Sequence, residues 1–492
     1  MRRTTSLTAA GLLGLALAAV PATGATAAGE TCRGEAATIV GTGPTLTGTE
    51  GRDVIVTAAA RTVVALGGDD LICLSGTPST GTDFINVDAG AGADTVDSTA
   101  LAPGYYATTV LGAGSDTFVG GRAYDVVFAG EQVALPGGGS APGADAEKDT
   151  IDTGDARDTV WTGAAGVPNS DAVTLGTGED DLILAGSAVA PDAVLDGGTG
   201  YDGLNLLGGT GDLGVDLAAG TLTTSLGTAR FSGYESASLE VGTGNVSVRG
   251  TDGPDRVTVR PTGGAPTLDV ATGDGDDVLT VEPATAIAPG SRIDAGTGED
   301  ELVAATDAGR LSLDLATQRF GVGGVDAVAV GLEDAFLMAP EVVMDGDDGD
   351  NELMWTGCSA TLRGGLGDDS LRWQYDYVFE AYEFRCDGDV SMNGGDGRDT
   401  LRGSGSDDLL IGGRGHDTVE GRNGDDRIRG SRGNDRVDGG EGRDRVSGGS
   451  GNDVLNGRAA DDVLIGGPGR DRVDGSRGRD RCVAERKARC ER

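Results

Sequence analysis

The chain has 492 residues, 89 of them glycine and only 4% aromatic, with a formal net charge of −41 at pH 7. So few large side chains argue against an ordinary globular enzyme core, and so acidic a surface excludes nucleic acid phosphates and anionic lipid headgroups as natural partners while attracting cations. Glycine and proline together make about one fifth of the chain, a level that signals disorder unless the glycines recur with a period. Here they do.

Residues 1–28 read as a cleaved secretory signal: Arg2 and Arg3, an apolar stretch from Leu7 to Val20, then Ala25-Thr26-Ala27 with Ala28 an equally good end. The expected location is extracellular. No later stretch is long and apolar enough for a membrane helix. Six cysteines, an even number in an exported chain, suit disulfides. Short loops favour Cys482–Cys490 and Cys358–Cys386, leaving Cys32 for Cys73.

Residues 29–345 carry a glycine-rich turn ending in aspartate at Asp53, Asp70, Asp94, Asp116, Asp158, Asp180, Asp202, Asp255, Asp277 and Asp300. Several of these are evenly spaced. The steps from Asp94 to Asp116, Asp158 to Asp180, Asp180 to Asp202 and Asp255 to Asp277 are each twenty-two, and that from Asp277 to Asp300 is twenty-three. Between them run short β-branched and apolar segments such as VTVR and LSLDLA, which read as strands. The period predicts a diverged parallel β-helix with one such turn per coil. It lapses over residues 205–250, where a separate sandwich is an alternative. Asp180, Asp202, Asp277 and Asp300 are candidate calcium ligands; the competing reading has each aspartate closing its own turn through backbone hydrogen bonds.

Residues 346–393 are transitional. GDNELM and GGLGDDSLR fall in a nonad register from Gly346, which adds Asp369 to the candidates. An insertion follows over residues 373–393, with Trp373, Tyr375, Tyr377 and Phe379 alternating and Tyr382 and Phe384 close behind. Alternation puts four rings on one strand face, either as a hydrophobic cover pinned by Cys358–Cys386 or as a surface for stacking sugars.

Residues 394–483 are ten tandem nonads without an insertion, from GGDGRDTLR to GSRGRDRCV. Position one is always glycine. Position six is always aspartate: Asp399, Asp408, Asp417, Asp426, Asp435, Asp444, Asp453, Asp462, Asp471 and Asp480. Position eight is apolar or cysteine, from Leu401 to Cys482. Glycine permits the left-handed angles of a tight turn, so the first six residues read as a turn and the last three as a strand with position eight inward. Two nonads then close one flat coil. Calcium takes six or more oxygens from carboxylates and carbonyls, and stacked turns offer both. Ser406 and Ala460 replace the glycine of position four and should weaken those two turns. Arginine at position seven (Arg427, Arg436, Arg445, Arg472, Arg481) should face solvent. The block carries 18 acidic and 16 basic residues, so it is nearly neutral before metal binds. The basic residues 484–492 should cap the open end.

The nonads resemble the repeats-in-toxin, or haemolysin-type, calcium-binding nonapeptide G-G-x-G-x-D-x-U-x. The resemblance implies an all-β chain, a right-handed parallel β-helix continuing into a parallel β-roll, with calcium ions between stacked turns and folding that requires the metal. Sharing each ion between nonads n and n+2 gives about eight sites in ten nonads, fewer if the Ser406 and Ala460 turns fail.

Histidine occurs once, as His416, and there is no GxSxG or HExxH. That argues against serine, cysteine and zinc hydrolase chemistry. The expectation is a non-enzymatic extracellular protein whose partners are calcium ions and cell-surface or matrix glycans. The rival is a calcium-dependent polysaccharide lyase or hydrolase built on a β-helix.

Overall fold

The computed structural model describes residues 29–490, except 42, 77–83, 135–139, 143–146, 165, 187–188, 210, 285–286, 308 and 375–387. The signal segment, the aromatic residues from Tyr375 to Phe384 and Cys386 therefore lie outside the described residues. Every element among the described residues is a strand or turn. The chain forms two compact units, Met1–Gly250 and Thr251–Arg492.

In the first unit, strands pair in parallel with their counterparts one coil later. Leu71–Gly76 pairs with Thr95–Leu101, which pairs with Thr117–Gly121 and on to Thr150–Gly154. A second column runs Phe84–Asp88, Tyr106–Val110, Tyr124–Phe128, Thr159–Thr162, Asp181–Ala185 and Gly203–Gly209. Period-two alternation sends Ile85, Val87, Val96, Phe118, Ile151, Val160, Leu182 and Leu184 inside, all essentially buried. Each such side chain contributes about 1.5–3 kcal/mol on leaving water. Among the described residues of 205–250 no sandwich forms. Instead Leu213–Asp216, Thr221–Thr224 and Gly227–Ser232 make a small antiparallel meander, whose last strand rejoins the stack beside Val194–Asp196. The period lapses because the coil is lengthened by this excursion. Cys32 and Cys73 form a disulfide.

The second unit begins with wide coils and repeats the same device: Arg310–Asp314, Arg319–Val322 and Val325–Val330 form a second meander, which rejoins the stack beside Arg292–Thr297. The coil narrows where Asp334–Asp345 pairs with Glu352–Leu366, setting Ala335 against Leu353 and Val342 against Ala360. That offset is two nonads. The tight block keeps it throughout, as in Leu409–Arg414 beside Arg427–Arg432 beside Arg445–Ser450. Two nonads per coil is thus the observed geometry. Many of these strands run on through positions one to three of the next nonad, as Leu409–Arg414 and Thr418–Asn423 do. They are twice as long as the sequence suggests. Position eight is buried in every nonad, from Leu401 (0% exposed) to Cys482 (6%).

The insertion is also shorter than residues 373–393. Met392 pairs in register with Leu362 and Leu410 and is buried. The Val390 N–H donates to Asp408 Oδ1 as a position-six residue would, so the stack has resumed before Gly394. Trp373 ends its strand in register with Trp355, and the Arg422 guanidinium lies 5.5 Å from its ring centre. Cys358 is disulfide-bonded. At the C-terminal end, Cys482 bonds Cys490, and Arg486–Ala488 adds a strand to Arg472–Asp474.

Candidate metal centre

The ten aspartates of the tight block are buried, none more than 3% exposed. They form two ladders, one along each edge of the roll. On one edge the backbone N–H of Asp399 donates to Oδ1 of Asp417, Asp417 to Asp435, Asp435 to Asp453 and Asp453 to Asp471, at 2.9–3.1 Å. On the other, Asp408 donates to Asp426, Asp426 to Asp444, Asp444 to Asp462 and Asp462 to Asp480, at 2.8–3.0 Å. Each carboxylate thus spends one oxygen tying its coil to the preceding one. The other oxygen, Oδ2, is buried without a hydrogen-bond partner in Asp399, Asp417, Asp426, Asp435, Asp444, Asp453, Asp462, Asp471 and Asp480. Nine orphaned carboxylate oxygens in one small block are costly unless a cation or a proton meets them.

The glycines explain themselves around this oxygen. At position one the angles are ordinary, but a Cβ on Gly430 would lie 2.3 Å from Asp435 Oδ2 and 2.5 Å from the Gly448 carbonyl oxygen. The same clash with the nonad's own aspartate recurs from Gly394 to Gly475. Position one is glycine because the carboxylate occupies the space, and not for the left-handed angles expected. Those angles belong to positions two and four, as at Gly413 (φ 123°) and Gly415 (φ 145°). At position four a Cβ on Gly433 would lie 1.3 Å from the Gly415 carbonyl oxygen, so successive position-four carbonyls point into the next turn. Carboxylate and carbonyl oxygens converging on stacked turns are the donor set of a hard cation such as calcium. His416 lies on the same edge but not in this set; its Nδ1 accepts the Asn434 N–H.

Of the two turns expected to be weak, the structure separates one from the other. Ala460 keeps the left-handed angle (φ 83°), and Asp462 keeps its orphaned Oδ2. The Ser406 nonad is rebuilt. There the Ser404 N–H donates to Asp408 Oδ2 at 2.6 Å and the Ser404 hydroxyl also reaches that carboxylate. Asp408 Oδ2 is thus satisfied by its own turn, while Oδ1 also accepts the Val390 N–H of the preceding coil.

Burial dominates the electrostatics. Loss of solvation pushes Asp426 up to about 8, Asp399 and Asp462 to about 7, and Asp417, Asp435, Asp444 and Asp453 to about 6. Neighbouring carboxylates push the same way in most of them, while the backbone N–H of the adjacent coil opposes both.

The ladders extend upstream. Asp369 receives the Asn351 N–H and donates to Asp399. Asp255 donates to Asp277 and Asp277 to Asp300 in the second unit; Asp158 donates to Asp180 and Asp180 to Asp202 in the first. Asp180, Asp202, Asp277, Asp300 and Asp369 all keep an orphaned Oδ2. They do not close their own turns; Asp53 does, through the Thr49 N–H. Position one is glycine for Asp369 (Gly364) and Asp202 (Gly197), but Leu175, Thr272 and Ala295 fill it for Asp180, Asp277 and Asp300. The sequence reading missed several rungs. Asp149 and Asp171 lack the glycine-rich turn that marks the others, whereas Asp125 ends the turn Gly120-Gly121-Arg122-Ala123-Tyr124, nine residues after Asp116, and was legible. Glu235, Glu333 and Glu485 supply Oε2 to the N–H groups of Asp202, Asp300 and Asp471; the first two lie beyond the meanders from their partners.

The described residues contain no group of three or more acidic, histidine or cysteine side chains placed to hold a metal, so any cation here draws on main-chain carbonyls as well. No curated protein matches the chain. A family model of the RTX calcium-binding nonapeptide repeat matches it in four copies, residues 111–132, 391–419, 420–455 and 447–482. The first copy covers the Asp116 turn of the wide coils and the other three cover the orphaned carboxylates of the tight block, and these repeats belong to the RTX calcium-binding nonapeptide family.

Proposed function

We propose that the chain is a secreted, non-catalytic calcium-binding scaffold whose tight block folds on calcium. The observation that carries this is the row of buried Oδ2 atoms, nearly one per nonad, left without a partner beside stacked carbonyls. Asp399, Asp417, Asp426, Asp435, Asp444, Asp453, Asp462, Asp471 and Asp480 would hold the ions, each shared with the turn two nonads away, and Asp369 and Asp202 would extend the set. Asp180, Asp277 and Asp300 are weaker ligands in this reading, because side chains replace the position-one glycine. Calcium supplies the positive charge that the carboxylates lack. Binding to the folded state alone then drives folding, since one inward aliphatic per nonad offers little against the backbone entropy of glycine.

The test is far-ultraviolet circular dichroism of the full chain with chelator and with millimolar calcium. Cooperative gain of β-structure is expected, and Asp435→Asn should shift the calcium midpoint more than Asp480→Asn, because Asp435 has neighbours on both sides. Equal β-content in both conditions would leave only a metal-free solenoid. In this reading the role is structural or adhesive; new reducing ends or unsaturated products from acidic polysaccharides would favour the lyase or hydrolase reading instead.

A further inference from the structure

One face of the tight block carries no acidic side chain at positions seven and nine, which point outward. Its strands are Val390–Asp396, Leu409–Arg414, Arg427–Arg432, Arg445–Ser450, Val463–Ile465 and Arg481–Val483. Those positions hold only small polar, aliphatic and arginine side chains. Arg427 and Arg445 are direct register partners on adjacent parallel strands, and Arg429 sits beside them on the same face. All three are exposed and none makes an ion pair among the described residues. Like charges set opposite one another destabilise a sheet. Elsewhere the block shows the usual remedy: Arg402 pairs with Glu420 and Arg458 with Asp438 on the opposite face, and Arg414 pairs with Asp396 at position three of the arginine face's own strands. Around the arginines the surface is apolar: Leu409, Ile465 and Val483 are 44%, 43% and 51% exposed. Arginine ringed by exposed aliphatics is the composition of a protein interface and a poor surface for a hydrated polysaccharide.

The charge of the rest of the chain says what fits there. Residues 394–492 hold twenty acidic and twenty basic side chains, so the whole formal charge of −41 lies before Gly394. We infer that this arginine face docks on the acidic part of a second copy of the chain. Two arginine faces cannot meet each other, so the contact is head-to-tail, which builds rings or open filaments and not closed two-fold dimers. Six short strands make a small interface, so the affinity is weak and salt-sensitive.

The experiment is sedimentation velocity of the full chain in calcium across protein concentration, at low and high salt. Wild type should self-associate, more weakly at high salt, and R427E/R429E/R445E should stay monomeric with unchanged circular dichroism; R427Q/R429Q/R445Q serves if charge reversal disturbs folding. Immobilised triple variant should still capture wild type, whose arginine face is intact, but should not capture itself. A monomeric wild type, a variant that associates like wild type, or an immobilised variant that captures nothing overturns the proposal. So does binding of wild type to anionic vesicles or a sulfated glycan that the variant loses while neither self-associates.

Discussion

At the scale of single residues, each invariant position of the nonad answers to a different force. Position eight is the core, position six both ties and carries charge, and position one is empty space reserved for a carboxylate. Gly430→Ala tests that last assignment. Its backbone angles suit alanine, so only the collision of Cβ with Asp435 Oδ2 and the Gly448 carbonyl opposes it. Displacing the carboxylate should cost about 1–3 kcal/mol, the usual range for overpacking, and should lower the calcium count read by titration calorimetry. Gly405→Ala is the control, because nothing lies within 4 Å of a Cβ there and its angles are ordinary. Equal behaviour of the two variants would refute the steric account. Position five shows a second ladder. The side chains of Asp407 and Asp425 accept the N–H of Asp425 and Arg443, and those of Asn434 and Asn452 accept the N–H of Asn452 and Arg470. Each run ends on arginine, which has no acceptor to offer.

At the scale of the turn, hydroxyl and metal do the same work. Thr49 with Asp53, Thr251 with Asp255 and Ser404 with Asp408 each satisfy the carboxylate from within the turn. Asp408→Asn should therefore leave the calcium count of the full chain unchanged and cost at most about 0.5–1.5 kcal/mol for the lost hydrogen bonds, whereas Asp435→Asn should lower the count. A loss of equal stoichiometry in both, by calorimetry, would mean that the Ser404 turn binds metal after all. The sequence showed most of this architecture. The two-nonad coil, the inward position eight and the ten aspartates were legible because they repeat without error from Gly394 to Val483. The exchange of Ser404 for glycine at position two was visible, but its meaning depends on where the hydroxyl points. The meanders were illegible for a physical reason: Leu213–Asp216 and Arg310–Asp314 alternate like any other strand, and only their antiparallel partners distinguish them. The rungs at Glu235 and Glu333 were hidden by the same insertions.

For the whole molecule, the buried carboxylates make stability depend on pH in opposite senses with and without calcium. In the metal-free fold, burial holds Asp94, Asp125, Asp180, Asp399 and Asp462 near 7 and Asp158 and Asp426 near 8, against an ordinary value of 3.8. A carboxyl whose folded value is raised binds its proton more tightly in the native state than in the unfolded one. Its contribution is fully present below about 4, and it is lost as pH rises through the folded values toward about 8. In chelator, where the tight block is unfolded, the urea midpoint of the wide coils that carry Asp94, Asp125, Asp158 and Asp180 should therefore be highest near pH 4–5 and fall steadily to pH 8. Calcium reverses the sign. It binds the deprotonated carboxylates, so protons now compete with the stabilising ligand, and the midpoint should rise from pH 5 to pH 8. The two curves should cross, with the crossing moving to lower pH as calcium is raised. Salt cannot reproduce this, because buried charges are little screened by it. Urea titrations over that range, in chelator and in millimolar calcium, decide the matter: parallel pH profiles would show that the orphaned oxygens meet neither proton nor calcium, and the metal assignment of both ladders would fall with them.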